Sequence, residues 1–243
     1  MSKDKIVGVL SHTKGSELLK KLEQAGLTPQ LAQEVIESPN NHKANQIVEF
    51  LANNENPFLI PSDPMEQWVA LYKKYFGIEI DISGIKNKPN MWPIYVHQGM
   101  KMQQVYDQLA RLFRCWKYTN NNLDEVVTHN DRKATKSYVL WVRDRVEADE
   151  ENKNKSASSL INGTHTTGIT LLERLLLELH HFYTTGEHLD IINYTLSTGS
   201  RINYVNLPYM GCDNGGRVFV HWHNATFPSP SLRSRKVVSV QIV

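Results

Sequence analysis

Between Ser16 and Leu51, hydrophobic residues recur three and four positions apart, the spacing of short helices that each bury one face. Leu18, Leu19 and Leu22 mark a first helix that stops at Ala25-Gly26, because glycine tolerates the left-handed conformation that closes a helix. Thr28-Pro29 starts a second: threonine caps free backbone N–H groups, and proline at the first helical position gives up no hydrogen bond. Leu31, Ala32, Val35 and Ile36 carry that helix to about Ser38, and Asn40-Asn41 opens a third with Ala44, Ile47, Val48 and Leu51. Pro57, Pro61 and Pro64 then punctuate a polar stretch. Trp68, Leu71, Tyr72 and Tyr75 form the stripe of one more helix, which Gly77 ends. Ile78, Ile80 and Ile82 alternate with acids as in a half-buried strand, and Gly84 to Pro93 reads as another joint.

The remaining chain mixes both periods. Short strands are expected at Ile94 to Val96 and Cys115 to Tyr118, around an amphipathic helix from Met100 to Phe113. Ser137 to Val146 alternates, with Tyr138, Leu140, Val142 and Val146 on one face and Arg143 and Arg145 on the other. The best-defined element is Thr170 to Thr184: Thr170 and Glu173 form a capping box, five apolar side chains from Leu171 to Phe182 form one stripe, and Gly186 ends it. Ile191 to Ser197, Arg217 to His223 and Arg235 to Val243 are β-rich. The fold class expected is α+β, with a small N-terminal three-helix module followed by an antiparallel or mixed sheet domain with packed helices. The boundaries expected are 1–55 for the helical module, 56–90 for a linker with one helix and a short strand, and 91–243 for the α+β domain.

Composition narrows the class but does not choose a function. The 243 residues are 40% hydrophobic and 21% charged, ordinary for a globular chain long enough to bury a core. With 27 basic against 25 acidic side chains, no polyelectrolyte partner is announced by net charge. Cys115 and Cys212 form no CxxC pair, which excludes a disulfide scaffold and a four-cysteine zinc site. The only apolar run near the start, Ile6 to Leu10, is too short for a signal core or a membrane span, so a cytoplasmic setting without membrane contact is expected.

The sharpest chemical feature is His221-Trp222-His223. Residues two apart on a strand face the same way, so both imidazoles can address one metal, with Cys212 and Asp213 in the preceding loop as further ligands. A divalent metal, zinc or manganese, is the one cofactor this pattern suggests. Strand parity puts Asp144 on the apolar face of its run, where a carboxyl would act as a general acid or ligand. Arg143, Arg145, Arg201 and Arg217, with Trp141, Trp222 and Tyr204 near them in sequence, would give phosphate contacts beside stacking rings if they converge on one sheet face. Glu178 and His181 have the spacing used in carboxylate-bridged di-iron bundles, but no second copy accompanies them. HExxH, the P-loop, GxGxxG and GxSxG are absent.

Leu22, Ala25-Gly26-Leu27, Ala32, Val35, Asn41, Ala44, Val48 and Leu51 make the N-terminal stretch resemble the three-helix modules of the ubiquitin-associated type, and that likeness implies a protein partner. The whole chain resembles two-part bacterial proteins that join a small helical module to a separate C-terminal domain and have no assigned activity. The carrying stretches are Gly26 to Ile36, Arg143 to Glu151 and Gly168 to Glu173. The leading expectation is therefore a non-catalytic binding or interaction protein. A metal-dependent hydrolase or nuclease using His221 and His223 is the alternative, and a nucleic-acid-binding domain with an arginine-aromatic sheet face is another.

Overall fold

The computed structural model describes residues 12–38, 43, 44, 47, 60–164 and 168–243. The chain divides into two compact units, Met1–Leu59 and Ile60–Val243. In the first, helix α1 (His12–Gln24) and helix α2 (Pro29–Ile36) stand where the leucine spacing places them. Thr28 Oγ1 accepts the Leu31 N–H at 3.2 Å, so the threonine-proline start works as expected. The expected third helix falls mostly outside the described residues. The apolar stripes of α1 and α2 are not buried: Leu18, Leu19, Leu22 and Leu31 are about half exposed, Ile36 is 72% exposed, and α2 has no buried residue.

The second unit begins with helix α3 (Pro64–Phe76), capped by Asp63 and closed by Gly77 at φ +65. The sequence reads this stretch as part of a linker, yet Trp68, Leu71 and Tyr72 are wholly buried. Trp68 Nε1 donates to Pro93 O at 2.9 Å and the Tyr72 hydroxyl to Tyr95 O at 2.9 Å, so each ring fills the core without stranding its polar atom. Ile78, Ile80 and Ile82 pack against the same core, but they pair with no strand and the expected strand is absent.

Strand β1 (Met91–Val96), helix α4 (Met102–Leu112), strand β2 (Cys115–Lys117), helix α5 (Leu123–Val126), strand β3 (His129–Asn130) and strand β4 (Tyr138–Arg143) follow. After a 3-10 turn at Glu150–Asn152 come helix α6 (Ala157–Thr164) and helix α7 (Leu171–Thr185). The last strands are β5 (Tyr194–Leu196), β6 (Ser200–Arg201), β7 (Asn206–Cys212), β8 (Val218–Asn224), β9 (Leu232–Arg233) and β10 (Ser239–Ile242). The described residues therefore hold seven α-helices and ten strands in three sheets, a mixed α+β fold.

One sheet runs β1-β4-β10, all antiparallel. Its central strand β4 is buried on both faces, so the expected alternation of core and solvent is lost there. The large sheet runs β2-β8-β7-β5-β9, with β2 parallel to β8, β5 parallel to β9, and the other pairs antiparallel. β3 and β6 form a two-residue ribbon. Helix α7 has both halves of the capping box and Gly186 in the left-handed region at φ +74. It packs on α3, α4, β1 and β7, and every residue from Leu171 to His181 is buried. Among the described residues no helix is long and apolar enough to cross a membrane.

Candidate functional site

Strand β8 keeps period two from Val218 to His221 and loses it at Trp222, which has the parity of Val218 and Val220 but is exposed. Val218 and Val220 face the main core, while Phe219, His221 and His223 face the other way and are partly exposed. Pairing extends that second face across the sheet. Trp116 of β2 stands beside Phe219, and Tyr209 of β7 stands opposite His221. Trp116 and His221 have ring centroids 5.5 Å apart at an interplanar angle of 35°; His221 and Tyr209 repeat this at 5.5 Å and 34°. Three rings thus form one gently turned row across three adjacent strands, and Tyr118 flanks it 6.3 Å from His221. Trp116, at the row's edge, is 40% exposed.

Two features keep the row open and ordered. Among the described residues, helix α6 meets the far end of this face, where Ala157, Leu196, Leu207 and Leu232 make a small second core with Tyr209 packed against it. At Gly211 any Cβ would collide with the Tyr194 ring, so this glycine lets Tyr194 lie across the sheet and meet Phe219 edge-on at 5.0 Å. His221 Nδ1 accepts the Trp222 N–H at 2.7 Å, which leaves Nε2 as its outward nitrogen. His223 Nε2 donates to Phe227 O at 2.9 Å. At the other end, the Val218 N–H donates to Arg114 O at 3.0 Å, which puts Arg114 next to Arg217, two residue pairs before Trp116 and Phe219 and so at the parity of the same face.

The proposed metal ligands do not converge. Cys212 pairs with Val218 and lies 2% exposed in the main core, on the opposite face from the histidines; burial pushes its thiol up to about 11. Asp213 is occupied: its carboxylate accepts the Arg217 and Gly215 N–H groups at 3.0 and 2.9 Å and Arg217 Nε at 2.9 Å. Those bonds, the Arg217 N–H first, hold it below the usual carboxylate range. Among the described residues no group of three or more His, Cys, Asp and Glu side chains is placed to hold a metal ion.

The other expected site residues scatter. Asp144 is exposed, not buried, because β4 ends at Arg143 opposite Met91 and strand parity stops one residue short of it. Arg143 contacts Glu151 and lies 3.8 Å from Asp149, while Arg145 meets Glu151 at 3.0 Å. Arg201 is bound to the carbonyls of Thr198 and Ser200. Of the four arginines, only Arg217 stands at the aromatic face. Trp141 is buried beneath the Lys88 ammonium, 4.3 Å from its ring centre.

Glu178 and His181 form no di-metal pair either. Glu178 bonds Arg174 at 2.8 Å and His188 Nδ1 at 2.8 Å, whereas the His181 ring lies against Trp92. Arg174 and Arg235 in turn hold Asp190 at 2.9 and 2.6 Å, all three wholly or nearly wholly buried. Burial alone would raise the Asp190 carboxyl, but Arg235 and Arg174 bring it below its ordinary value. Arg132, Tyr138 and the Thr170 N–H close around Glu173 in the same manner. These ion pairs join α7 to the strands around it.

The sequence reading missed Trp116, Tyr118 and Tyr209 as ring partners of His221, and Arg114 beside Arg217. Trp116 and Tyr118 were visible as same-face residues of an expected strand, but their alignment with β8 is a long-range pairing. β7 carries Pro208 and Gly211, both poor strand residues, which hid Tyr209. No family model, no curated protein and no solved structure matches this chain.

Proposed function

We propose that this chain is a non-catalytic binding protein whose second unit takes single-stranded nucleic acid on the aromatic face of its large sheet. The observation that carries the reading is the ring row Trp116-His221-Tyr209, with Arg114 and Arg217 at one end. Unpaired bases expose flat faces, and rings fixed on adjacent strands receive them without regard to sequence. Guanidinium groups at the end of the row would meet the phosphates. Charge sets the strength of the effect: with two arginines, one of them already paired to Asp213, affinity is modest, and log K falls against log salt with a slope no steeper than about −1.4.

The test is fluorescence anisotropy of a labelled mixed-sequence oligonucleotide, single-stranded and as duplex, with the full chain. Trp116→Ala and Tyr209→Ala should each weaken single-strand binding by about 1–3 kcal/mol. Binding the duplex equally well, or leaving both variants at wild-type affinity, sinks the reading. A protein partner for the first unit is the second reading, favoured by the exposed Leu18, Leu19, Leu22, Leu31 and Ile36 on α1 and α2. It requires that Leu19→Asp with Leu31→Asp abolish whatever partner association the wild-type chain shows in cross-linking.

A further inference from the structure

The segment that leaves β4 is fixed along most of its length. Arg235 donates to the carbonyls of Arg145 and Val146, each at 2.7 Å. Glu147 accepts the N–H groups of Ile191, Ile192 and Asn193 at 3.0, 3.1 and 2.9 Å, and Asp149 accepts the Lys236 N–H at 2.8 Å. Glu150 meets Arg233 at 2.7 Å, and Asn152 Nδ2 donates to Ser234 O at 3.0 Å. Between this segment and the stretch Ser234–Lys236 lies a cleft of about 400 Å³. Thr198 and Gly168 line it further in, and a Cβ at Gly168 would collide with the Thr198 side chain, so that wall closes only around glycine.

Charges in the cleft sort into spent and unspent. Asp149 and Glu151 line it but are matched by Arg143 and Arg145, two acids against two guanidinium groups. Lys155 and Lys236 also line it, and among the described residues neither ammonium has a carboxylate partner. Thr198 Oγ1 and Ser234 Oγ lie 2.7 Å apart; one O–H serves that bond and the other is left to donate. Two unmatched ammonium groups beside a hydroxyl donor, on a rigid frame, suit a compact dianion.

We propose that this cleft binds a phosphate monoester, a small phosphorylated molecule whose phosphate sits between Lys155 and Lys236. A phosphate monoester carries about −1.5 to −2 charges at pH 7, which answers both lysines, whereas one carboxylate answers only one. The cleft is of the size that encloses a whole small ligand and exceeds what the inorganic ion fills, and Leu160 supplies an apolar wall for the organic part. The site is distinct from the ring row and makes no use of it.

Calorimetric titration of the full chain tests this with four probes: inorganic phosphate, ribose 5-phosphate, a nucleoside monophosphate and ribose. Either organic phosphate should bind more tightly than inorganic phosphate, and ribose should give no heat. Lys155→Gln and Lys236→Gln lie at the surface and should fold; each should weaken organic phosphate binding about tenfold. For ribose 5-phosphate, which has no base to stack, Trp116→Ala should leave the affinity unchanged, which separates this site from the nucleic-acid face. A readout free of any variant is the pH dependence of the wild type, whose affinity should fall as the probe's second ionisation near pH 6 is crossed downward. Equal binding of ribose and its phosphate, wild-type affinity for ribose 5-phosphate in the Lys155→Gln/Lys236→Gln protein, or no heat from any phosphate at millimolar concentration overturns the proposal.

Discussion

His180 sits in surroundings that pull it far from its ordinary chemistry. Its ring stacks on Trp68 at 4.5 Å and 16°, and Nε2 is buried without a partner among the described residues. Burial, with His181 beside it adding to the effect, lowers its pKa to about 3 from an ordinary 6.5. The unfolded chain therefore binds a proton between those values that the folded chain refuses, so stability is lost as pH falls from about 6.5 toward 3. By pH 4.5 this one group should remove about 2–3 kcal/mol. Urea unfolding at a series of pH values should show that slope in the wild type and a shallower one in His180→Phe. Identical slopes would mean that the imidazole is hydrated or protonated in the folded state. A helical stripe shows that position 180 is near a leucine face, but only the fold supplies Trp68, 112 positions earlier, as its lid. Asp144 teaches the opposite lesson: parity along a strand predicts burial only while the strand lasts.

At the scale of elements, helix α7 separates what local sequence encodes from what packing decides. Its start, end and leucine stripe follow from Thr170, Glu173, Gly186 and the 3.6-residue period, and all are present. Burial on every side was not legible, because Arg174 and Glu178 read as the polar face of a surface helix. They are inside because Asp190, Arg235 and His188 arrive from other elements to satisfy them. Such a network is costly to break from one side. Asp190→Asn leaves two buried guanidinium groups short of charge and should destabilise the fold by about 3–5 kcal/mol at pH 7, read as a lower urea midpoint with an unchanged m-value. A loss under about 1 kcal/mol would show that water reaches the arginines. Strand β7 marks the complementary limit, since Pro208 and Gly211 argue against a strand that its neighbours β5 and β8 nevertheless impose. The residues from Ile78 to Ile82 have the strand pattern and no pairing partner.

At the scale of the molecule, the question is where one folding unit ends and the next begins. Pro57, Pro61 and Pro64 mark the joint in the sequence, but composition carries the expected linker on to position 90, through a helix that proves to be core. The main buried cluster is drawn from Met65 to Val237, and the second small cluster from Ala157 to Leu232. Among the described residues, every hydrophobic side chain of both clusters, the ring row and the lysine cleft thus belong to residues 60–243. A chain starting at Ile60 should therefore unfold cooperatively with a melting temperature close to that unit's transition in the full protein, and should keep its affinity for both oligonucleotide and phosphorylated probes. Calorimetry of the two proteins side by side decides it. Aggregation or a broad, non-cooperative transition in the shortened chain would place part of the second unit's stability in residues before Ile60. A sharp transition with lost oligonucleotide binding would move the nucleic-acid contact to the first unit, where exposed leucines already make a surface that a partner is expected to cover.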